Sequence, residues 1–592
     1  MSKALQYLRE ILYLMGKDRK RLPGLLFLFM STSLLDLIGL GLIAPYITLM
    51  VNPEQASNDS MGQVAKYFGL ESDSKELLIF LSGALLIVFA TKAFTSIYIN
   101  RAIIAFSMQQ QVRLCSFLMR AYQQLPYTLY LRRNSSEYIH SIQILTAQFS
   151  GKVVTTILQT SSNGIVGLVI LGMLAWTNVK IFLLLFVLLS FLVLSYDRVF
   201  RRRLHSYGQL VNQFSTKMVQ GINEGIEGLK EIRMLGRESY FHQSVHDGVQ
   251  KAAEIGLKQQ VISTAPRYLL EFFMVVFLVF LVCGSLILGH DLKVLLPTLG
   301  MYAVAALRII PSANAISTSI LKLRFSRDGV SRLYSDLNQL EQQELFSKTV
   351  VSSTPESFRT LTLRNIVFTY PKSTKPALNK INLQLNSGES LGLIGPSGAG
   401  KTTLVDLLLG LLKPQAGEIL YNKYTLTEVL AQWRSQIAYL PQQVFLIDNT
   451  LRHNVALGEA ECDIEEPRLL EALRQACLNE LVEQLPQGVD TMVGEHGMRL
   501  SGGQRQRVAL ARAFYHRRNI LVMDEATSAL DNETESVIVS EIKRLKGKKT
   551  IIVIAHRLTT VQHCDRIHYL ENGRIVDQKT PEQLLQKNEL KV

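Results

Sequence analysis

The sequence predicts a helical membrane domain of six spans followed by an α/β domain, and three observations predict it. Long apolar runs fill the first 325 residues or so. Lysine and arginine gather in alternate segments between those runs. From about Val350 onward, short apolar strands alternate with helical patterns, the texture of a layered α/β unit. The composition agrees. With 48% hydrophobic and 19% charged residues, the chain is too apolar for a wholly soluble enzyme or a disordered chain. It is also too charged to be membrane throughout.

The runs come in order. Leu22–Met50 carries only Asp36, and Leu77–Asn100 only Lys92. A third run begins near Val153 and extends through Gly164–Ala175. Ile181–Tyr196 has no charge, Leu269–Gly289 has only Glu271, and Leu292–Ile310 is apolar around Arg308. A spanning helix needs about 20 predominantly apolar residues, so these runs read as six spans. Basic residues crowd the N-terminal stretch and the segments between spans two and three and between spans four and five; the alternate loops are poor in them. That bias places both termini in the cytoplasm. It also accounts for most of the net charge of +14 without nucleic acid as a partner. The first span is too long for a cleaved signal peptide and lacks a small-residue cleavage site. Five scattered cysteines without a CxxC suggest neither a disulfide framework nor a metal site.

The two inner segments are long enough to be helical extensions of the spans that protrude into the cytosol. Near their turning points, Leu125–Glu137 and Gly221–Arg237 read as short helices that touch another domain. Leu5, Leu8, Ile11, Leu12 and Met15 recur at helical spacing, which suits a helix along the inner membrane surface. In the outer segment Val51–Glu76, Met61, Val64, Ala65 and Phe68 suit a second amphipathic helix on the other face. The organisation is thus a membrane domain over 1–340, a polar linker over 341–360 and the α/β domain over 361–592.

The sharpest motif is Gly395, Pro396, Ser397, Gly398, Ala399, Gly400, Lys401 and Thr402, a G-x-x-x-x-G-K-[ST] run. The strand Ser390–Ile394 precedes it, and the apolar helix Thr403–Leu412 follows. This is the context of a phosphate-binding loop, whose glycines let backbone N–H groups approach phosphates. Lys401 is positioned for the β- and γ-phosphates of ATP, and the hydroxyl of Thr402, beside Thr403, for Mg²⁺. A second motif is the apolar strand Ile520–Met523 ending in Asp524 and Glu525. Asp524 would hold Mg²⁺ largely through water, and Glu525 would polarise the attacking water as general base. The third, Ser501, Gly502, Gly503 and Gln504, opens a helix through Arg512 and reads as an anion-binding helix terminus.

The order Gly395–Thr402, Gln442, Leu500–Gln504, Asp524–Glu525, Ser528–Asp531 and His556 resembles the nucleotide-binding domain of an ATP-binding-cassette transporter. Six spans followed by one cassette are similar to the exporter type of half-transporter. The resemblance implies an exporter-type membrane domain joined to an α/β P-loop cassette that hydrolyses ATP. It places adenine on Tyr370 and the γ-phosphate and metal near Gln442. It makes His556 a switch residue on the γ-phosphate, and it sends the segment ending in Asp531 across to an opposite ATP site. It also implies that Thr491–Glu495 contacts coupling helices. Ser501–Gln504 of one cassette would close over the phosphate loop of another, so the working unit is a dimer. Intact versions of every motif favour a homodimer with two hydrolytic sites.

Charges at membrane depth are the candidates for substrate contact: Asp36, Lys92, Arg267, Glu271 and Arg308. Arg267 and Glu271 are four apart on one helix and can also simply pair. The stretches Asp36–Pro45, Pro266–Glu271 and Arg308–Ser312 are similar to flippases for lipid-linked oligosaccharides. That implies ATP-driven movement of a polyprenyl-diphosphate oligosaccharide among membrane lipids, from the inner to the outer leaflet of the inner (plasma) membrane. Arg267 and Arg308 would pair with the diphosphate. The alternatives are an exporter of another lipid, a peptide or a drug, and a membrane ATPase that does not transport.

Overall fold

Helices of 49 and 50 residues dominate the N-terminal half: Ser74–Gln123, Val179–Glu227 and Glu238–Ile287. At 1.5 Å per residue each runs roughly 75 Å, more than twice the ~30 Å hydrocarbon layer of a bilayer. Each must therefore leave the membrane at one end, which explains why an apolar run continues without a break into a charged helix. The computed structural model describes residues 3–51, 74–177, 179–287, 292–342, 357–371, 373–525, 540, 543–555 and 561–580. The chain divides into two compact units, Met1–Leu125 with Arg133–Phe346, and Pro126–Arg132 with Ser347–Val592.

In the first unit, five helical stretches among the described residues are long and apolar enough to cross a membrane. The sixth expected run opens the helix Leu292–Phe325. The side chains at 292–308, Arg308 among them, lie outside the described residues, as does the expected amphipathic stretch Met61–Phe68. The N-terminal helix Lys3–Met15 forms, and its apolar stripe is shared between a packed and an exposed part. Ile11, Leu14 and Met15 are buried in one core with Leu333, Leu337 and Leu340 of the helix Arg327–Gln342, while Leu5 and Leu8 stay exposed. Polar ties fix the same pair of helices. Ser331 donates to Glu10 at 3.0 Å, and the Tyr13 hydroxyl donates to Glu341.

The helix Arg327–Gln342 is held a second time, through Asp336. This buried carboxylate accepts from Tyr122 at 2.9 Å and from Arg133 at 2.8 Å. A buried charge so far from bulk water needs such donors. Where Val179–Glu227 crosses the end of Leu292–Phe325, Gly208 is required. A Cβ there would lie 2.0 Å from the carbonyl oxygen of Phe325. The inner turns hold short helices, Tyr127–Tyr130 and Ser135–His140 in one and Leu229–Leu235 in the other.

The second unit is built on two sheets. Strands β1 (Thr360–Phe368), β2 (Leu378–Asn386), β4 (Ala416–Tyr421) and β5 (Tyr424–Thr425) form an antiparallel sheet in the order β2-β1-β4-β5. Strands β3 (Ser390–Ile394), β6 (Ile437–Leu440), β7 (Ile520–Asp524), β8 (Thr550–Ile554), β9 (Arg566–Glu571) and β10 (Arg574–Lys579) form the other, ordered β10-β9-β3-β8-β7-β6. All its neighbours are parallel except the β10–β9 edge pair. Every residue of β3, β7 and β8 is buried, as expected for parallel strands covered on both faces. The helix after the phosphate loop is shorter than its apolar run suggests. It spans Lys401–Leu408, because Gly410 takes a left-handed φ of 66° and the N–H of Leu411 turns back to the Asp406 carbonyl.

One buried polar group in this sheet has no hydrogen-bond partner among the described residues. Both ring nitrogens of His568 are unpaired, and the residue is fully buried. Burial, with Arg566 adding to it and Glu389 opposing, pushes its pKa down from 6.5 to about 4. The folded state thus resists a proton that the unfolded chain accepts, so stability is intact above pH 6.5 and falls as pH drops toward 4. The loss can approach about 3 kcal/mol. We expect His568→Leu to shrink the drop in thermal midpoint of the full chain between pH 7.5 and 5; an equal drop in the variant would contradict this.

Candidate nucleotide site

Strand register assembles this site. Leu393, at the end of β3, and Asp524, at the end of β7, both pair with Ile554 of β8. The carboxyl ends of β3 and β7 therefore flank one strand and lie about 10 Å apart, two inter-strand spacings. The phosphate loop leaves the first and the carboxylates leave the second. On the far side Leu440 of β6 pairs with Met523, which brings the turn after β6 beside Asp524 and Glu525.

The loop is shaped by its glycines. Gly395 has φ 151° and Gly400 has φ 101°. A Cβ on Gly395 would fall 2.1 Å from the Leu570 carbonyl oxygen, and one on Gly400 would fall 2.7 Å from that of Ala377. Only glycine permits both the turn and this close approach. Lys401 is buried, and its Nζ donates to the Gly395 carbonyl at 2.7 Å and the Pro396 carbonyl at 3.2 Å. Burial lowers its pKa, against the pull of Glu525 and Asp524 nearby. Lys401 thus stands as a cation facing two carboxylates across the space the loop encloses. Ser397 and Thr402 are exposed, Ala399 is buried, and Pro396 and Gly398 complete the exposed rim.

The Gln442 amide donates to Glu525 Oε2 at 2.8 Å. Glu525 itself sits at a φ of 49°, a left-handed conformation uncommon for a side-chain-bearing residue and typical of functional strain. Asp524 is buried and accepts from the Tyr439 hydroxyl at 3.2 Å. Tyr370 packs edge-to-face on Phe368, and its hydroxyl lies 3.2 Å from Thr403 Oγ1, beside the loop's helix. Oxygen donors of this kind, a hydroxyl at Thr402 and a carboxylate at Asp524, suit Mg²⁺, which keeps several waters and takes its remaining ligands from phosphates.

Ser501 and Gln504 form a complete capping box. The Ser501 hydroxyl accepts from the Gln504 N–H at 3.2 Å, and the Gln504 amide oxygen accepts from the Ser501 N–H at 2.8 Å. They open the helix Gly502–Tyr515, longer than the sequence pattern indicates, with Gly502 and Gly503 in its first turn. Asp531 and His556 lie outside the described residues, as do Ser528–Leu530. Sequence reasoning did not single out Tyr439, Asp406 or Tyr127, which also surround the carboxylates. The signal for Tyr439 was its place two residues before Asp524's level in the neighbouring strand, legible only once β6 and β7 are known to pair.

In the membrane unit, Arg267 Nε donates to Glu271 Oε1 at 3.0 Å, and both side chains are exposed. Asp36 and Lys92 form a buried ion pair between the helices Leu22–Val51 and Ser74–Gln123. The pair lines a cavity of about 480 Å³ with Thr32, Asn100, Gln159, Asn163 and Ser312. The sequence marked both charges as candidates but not their partnership, which depends on how two distant helices are rotated.

Comparisons with known proteins follow the same division. Residues 378–528 match a family described as ABC transporter, and residues 27–302 match the ABC transporter transmembrane region. A protein of Saccharophagus degradans named ATP-dependent lipid A-core flippase is 29% identical, and the match covers 96% of each chain. One of the same name from Chromobacterium violaceum is 31% identical over 73% of each chain. Among solved structures, a bacterial Atm1-family ABC exporter with ATP bound shares the fold, with a TM-score of 0.75 over 97% of each chain at 20% identity.

The geometry around Glu525 generates a direct test. Glu525→Gln keeps the size and the contact with Gln442 but removes the carboxylate that the sequence casts as the base. ATP binding should persist while hydrolysis falls by at least about a hundredfold, the usual contribution of a general base. Hydrolysis at the parent rate would remove Glu525 from that role.

Proposed function

From the premise that this chain belongs to the ABC transporter family, a membrane ATPase that couples hydrolysis to transport, we propose that it flips a lipid-linked glycan from the inner to the outer leaflet. The observation that carries this reading is the polar cavity around Asp36 and Lys92. In hydrocarbon every polar group needs a partner. A polar chamber of about 480 Å³ among spanning helices gives a polar head group somewhere to sit while its lipid tail remains in the bilayer. A relative aligned over 96% of each chain is named an ATP-dependent lipid A-core flippase.

The described cations bear on the choice of head group. Lys92 is paired with Asp36 and Arg267 with Glu271, so neither offers a bare charge to a diphosphate. This favours glycan hydroxyls at the cavity and leaves the polyprenyl diphosphate as the head group to be tested, with Arg308 as a further candidate contact from the sequence.

The cycle we propose uses two copies of the chain in the inner membrane, with termini on the cytoplasmic side. ATP would rest on the phosphate loop, Lys401 and Tyr370 of one copy and meet Ser501–Gln504 of the other. Mg²⁺ would neutralise phosphate charge, with Thr402 and Asp524 as its protein ligands. Gln442 would orient Glu525, which takes the proton of the attacking water; Asp531 and His556 would complete the contacts to phosphate. In support of a second copy, the helix Leu229–Leu235 and the helix end before it carry an exposed apolar cap of Ile226, Leu229, Met234 and Leu235. Such a patch marks a docking surface for protein. ATP moves the spans only through its greater affinity for the closed state.

Reconstitution in vesicles tests the reading. ATP-dependent movement of purified lipid A-core or of a polyprenyl-diphosphate glycan is expected, with no response to peptides; movement of neither lipid would overturn it. Within the cavity, Asn163→Ala should raise the lipid concentration needed for half-maximal ATPase stimulation several-fold, about the worth of one hydrogen bond. An unchanged value would take the cavity off the substrate path.

A further inference from the structure

Tyr439 belongs to none of the motifs, yet its hydroxyl reaches the buried carboxylate at the end of β7. It lies on β6, the edge strand of the parallel sheet, and pairs with Val522. Side chains at i and i+2 of a strand share a face, so Tyr439, Val522 and Asp524 project to the same side. The ring is partly exposed at that edge, while the hydroxyl donates inward to Asp524 Oδ2 at 3.2 Å.

Asp524 needs such a donor because it does not stand alone. Asp406, on the helix after the phosphate loop, is pushed up to about 6 by burial and then by the charge of Asp524. The Tyr439 phenol is raised by burial and then by Asp524, with Asp406 and Tyr127 contributing less. Tyr127, on the inner-turn helix that belongs to this unit, packs at the rim of the core under the phosphate-loop helix, next to Tyr370. Two carboxylates and two phenols therefore share one partly dry corner. A hydroxyl donated to a buried carboxylate satisfies one of its oxygens and fixes its rotamer. Here the donated hydroxyl goes to Asp524, leaving its second oxygen oriented by that bond.

We infer that Tyr439 is a positioning residue: its hydroxyl holds the buried Asp524 carboxylate in the rotamer aimed for a divalent cation at the nucleotide. The inference rests on the ATPase reading only for the cation's presence beside Asp524. It adds a group that acts through Asp524 and touches neither nucleotide nor metal.

The test uses the full chain and ATP, with Mg²⁺ titrated. Tyr439→Phe deletes only the hydroxyl. ATP affinity in excess chelator should match the parent. The Mg²⁺ concentration for half-maximal tight binding, and for half-maximal hydrolysis, should rise roughly tenfold, the scale of one hydrogen bond to a charged group. Tyr439→Leu, which also removes the ring, should shift the Mg²⁺ requirement no further than Phe does. In an Asp524→Asn background, Tyr439→Phe should add no shift, because the pair acts as a unit. A Mg²⁺ requirement unchanged in Tyr439→Phe, or an equal loss of affinity in chelator, would overturn the positioning role. A parent that hydrolyses ATP without any divalent cation would overturn the reading of the site itself, which is a different result.

Discussion

The pairing of β3 and β7 on opposite sides of β8 is the constraint on which the rest of the cassette depends. Neither the phosphate loop nor the carboxylates form a site alone. Ile554 is the shared partner that sets their separation, and the backbone ties it on both flanks: the Ala555 N–H donates to Leu393 and the Glu525 N–H donates to Ile554. A one-residue slip of these strands would carry the side chains that pack on one core cluster over to the other. The distance between the lysine-bearing loop and the carboxylates is thus held by the same burial that stabilises the core.

The membrane unit answers a different solvent with the same logic. Three of its carboxylates are placed where a cationic partner exists: Asp36 with Lys92, Asp336 with Arg133 as well as Tyr122, and Asp197 under a bidentate Arg324 at 3.1 and 2.9 Å. The last two ties lie in the charged extensions and bind the end of the final long helix and the helix after it to their neighbours. Tyr127 links the two themes, since an inner turn between the second and third long helical stretches contributes a ring to the corner that holds Asp406 and Asp524.

Much of this was legible residue by residue. The glycines of the loop announce their own geometry, because positive φ and carbonyls within 2.7 Å exclude any other side chain at Gly395 and Gly400. Ser501 and Gln504 are spaced three apart, and a capping box requires that spacing. Asp36 and Lys92 were visible as charges at depth but not as partners, since a sequence carries no record of how helices 56 residues apart are turned toward each other. Arg267 and Glu271 pair because one helical turn separates them, a local rule that needs no tertiary knowledge.

The sequence by itself determined which segments are lipid-facing helix and which are buried strand, and it determined the chemistry at each motif. Hydrophobic periodicity and residue type act locally and survive without a partner. Only the tertiary structure decided that Tyr439 meets Asp524, that Gln442 meets Glu525, and that the first helix spends half its apolar stripe on the helix Arg327–Gln342. Those contacts depend on strand order and helix rotation. Both are set by packing the whole unit at once, and no window of neighbouring residues contains them.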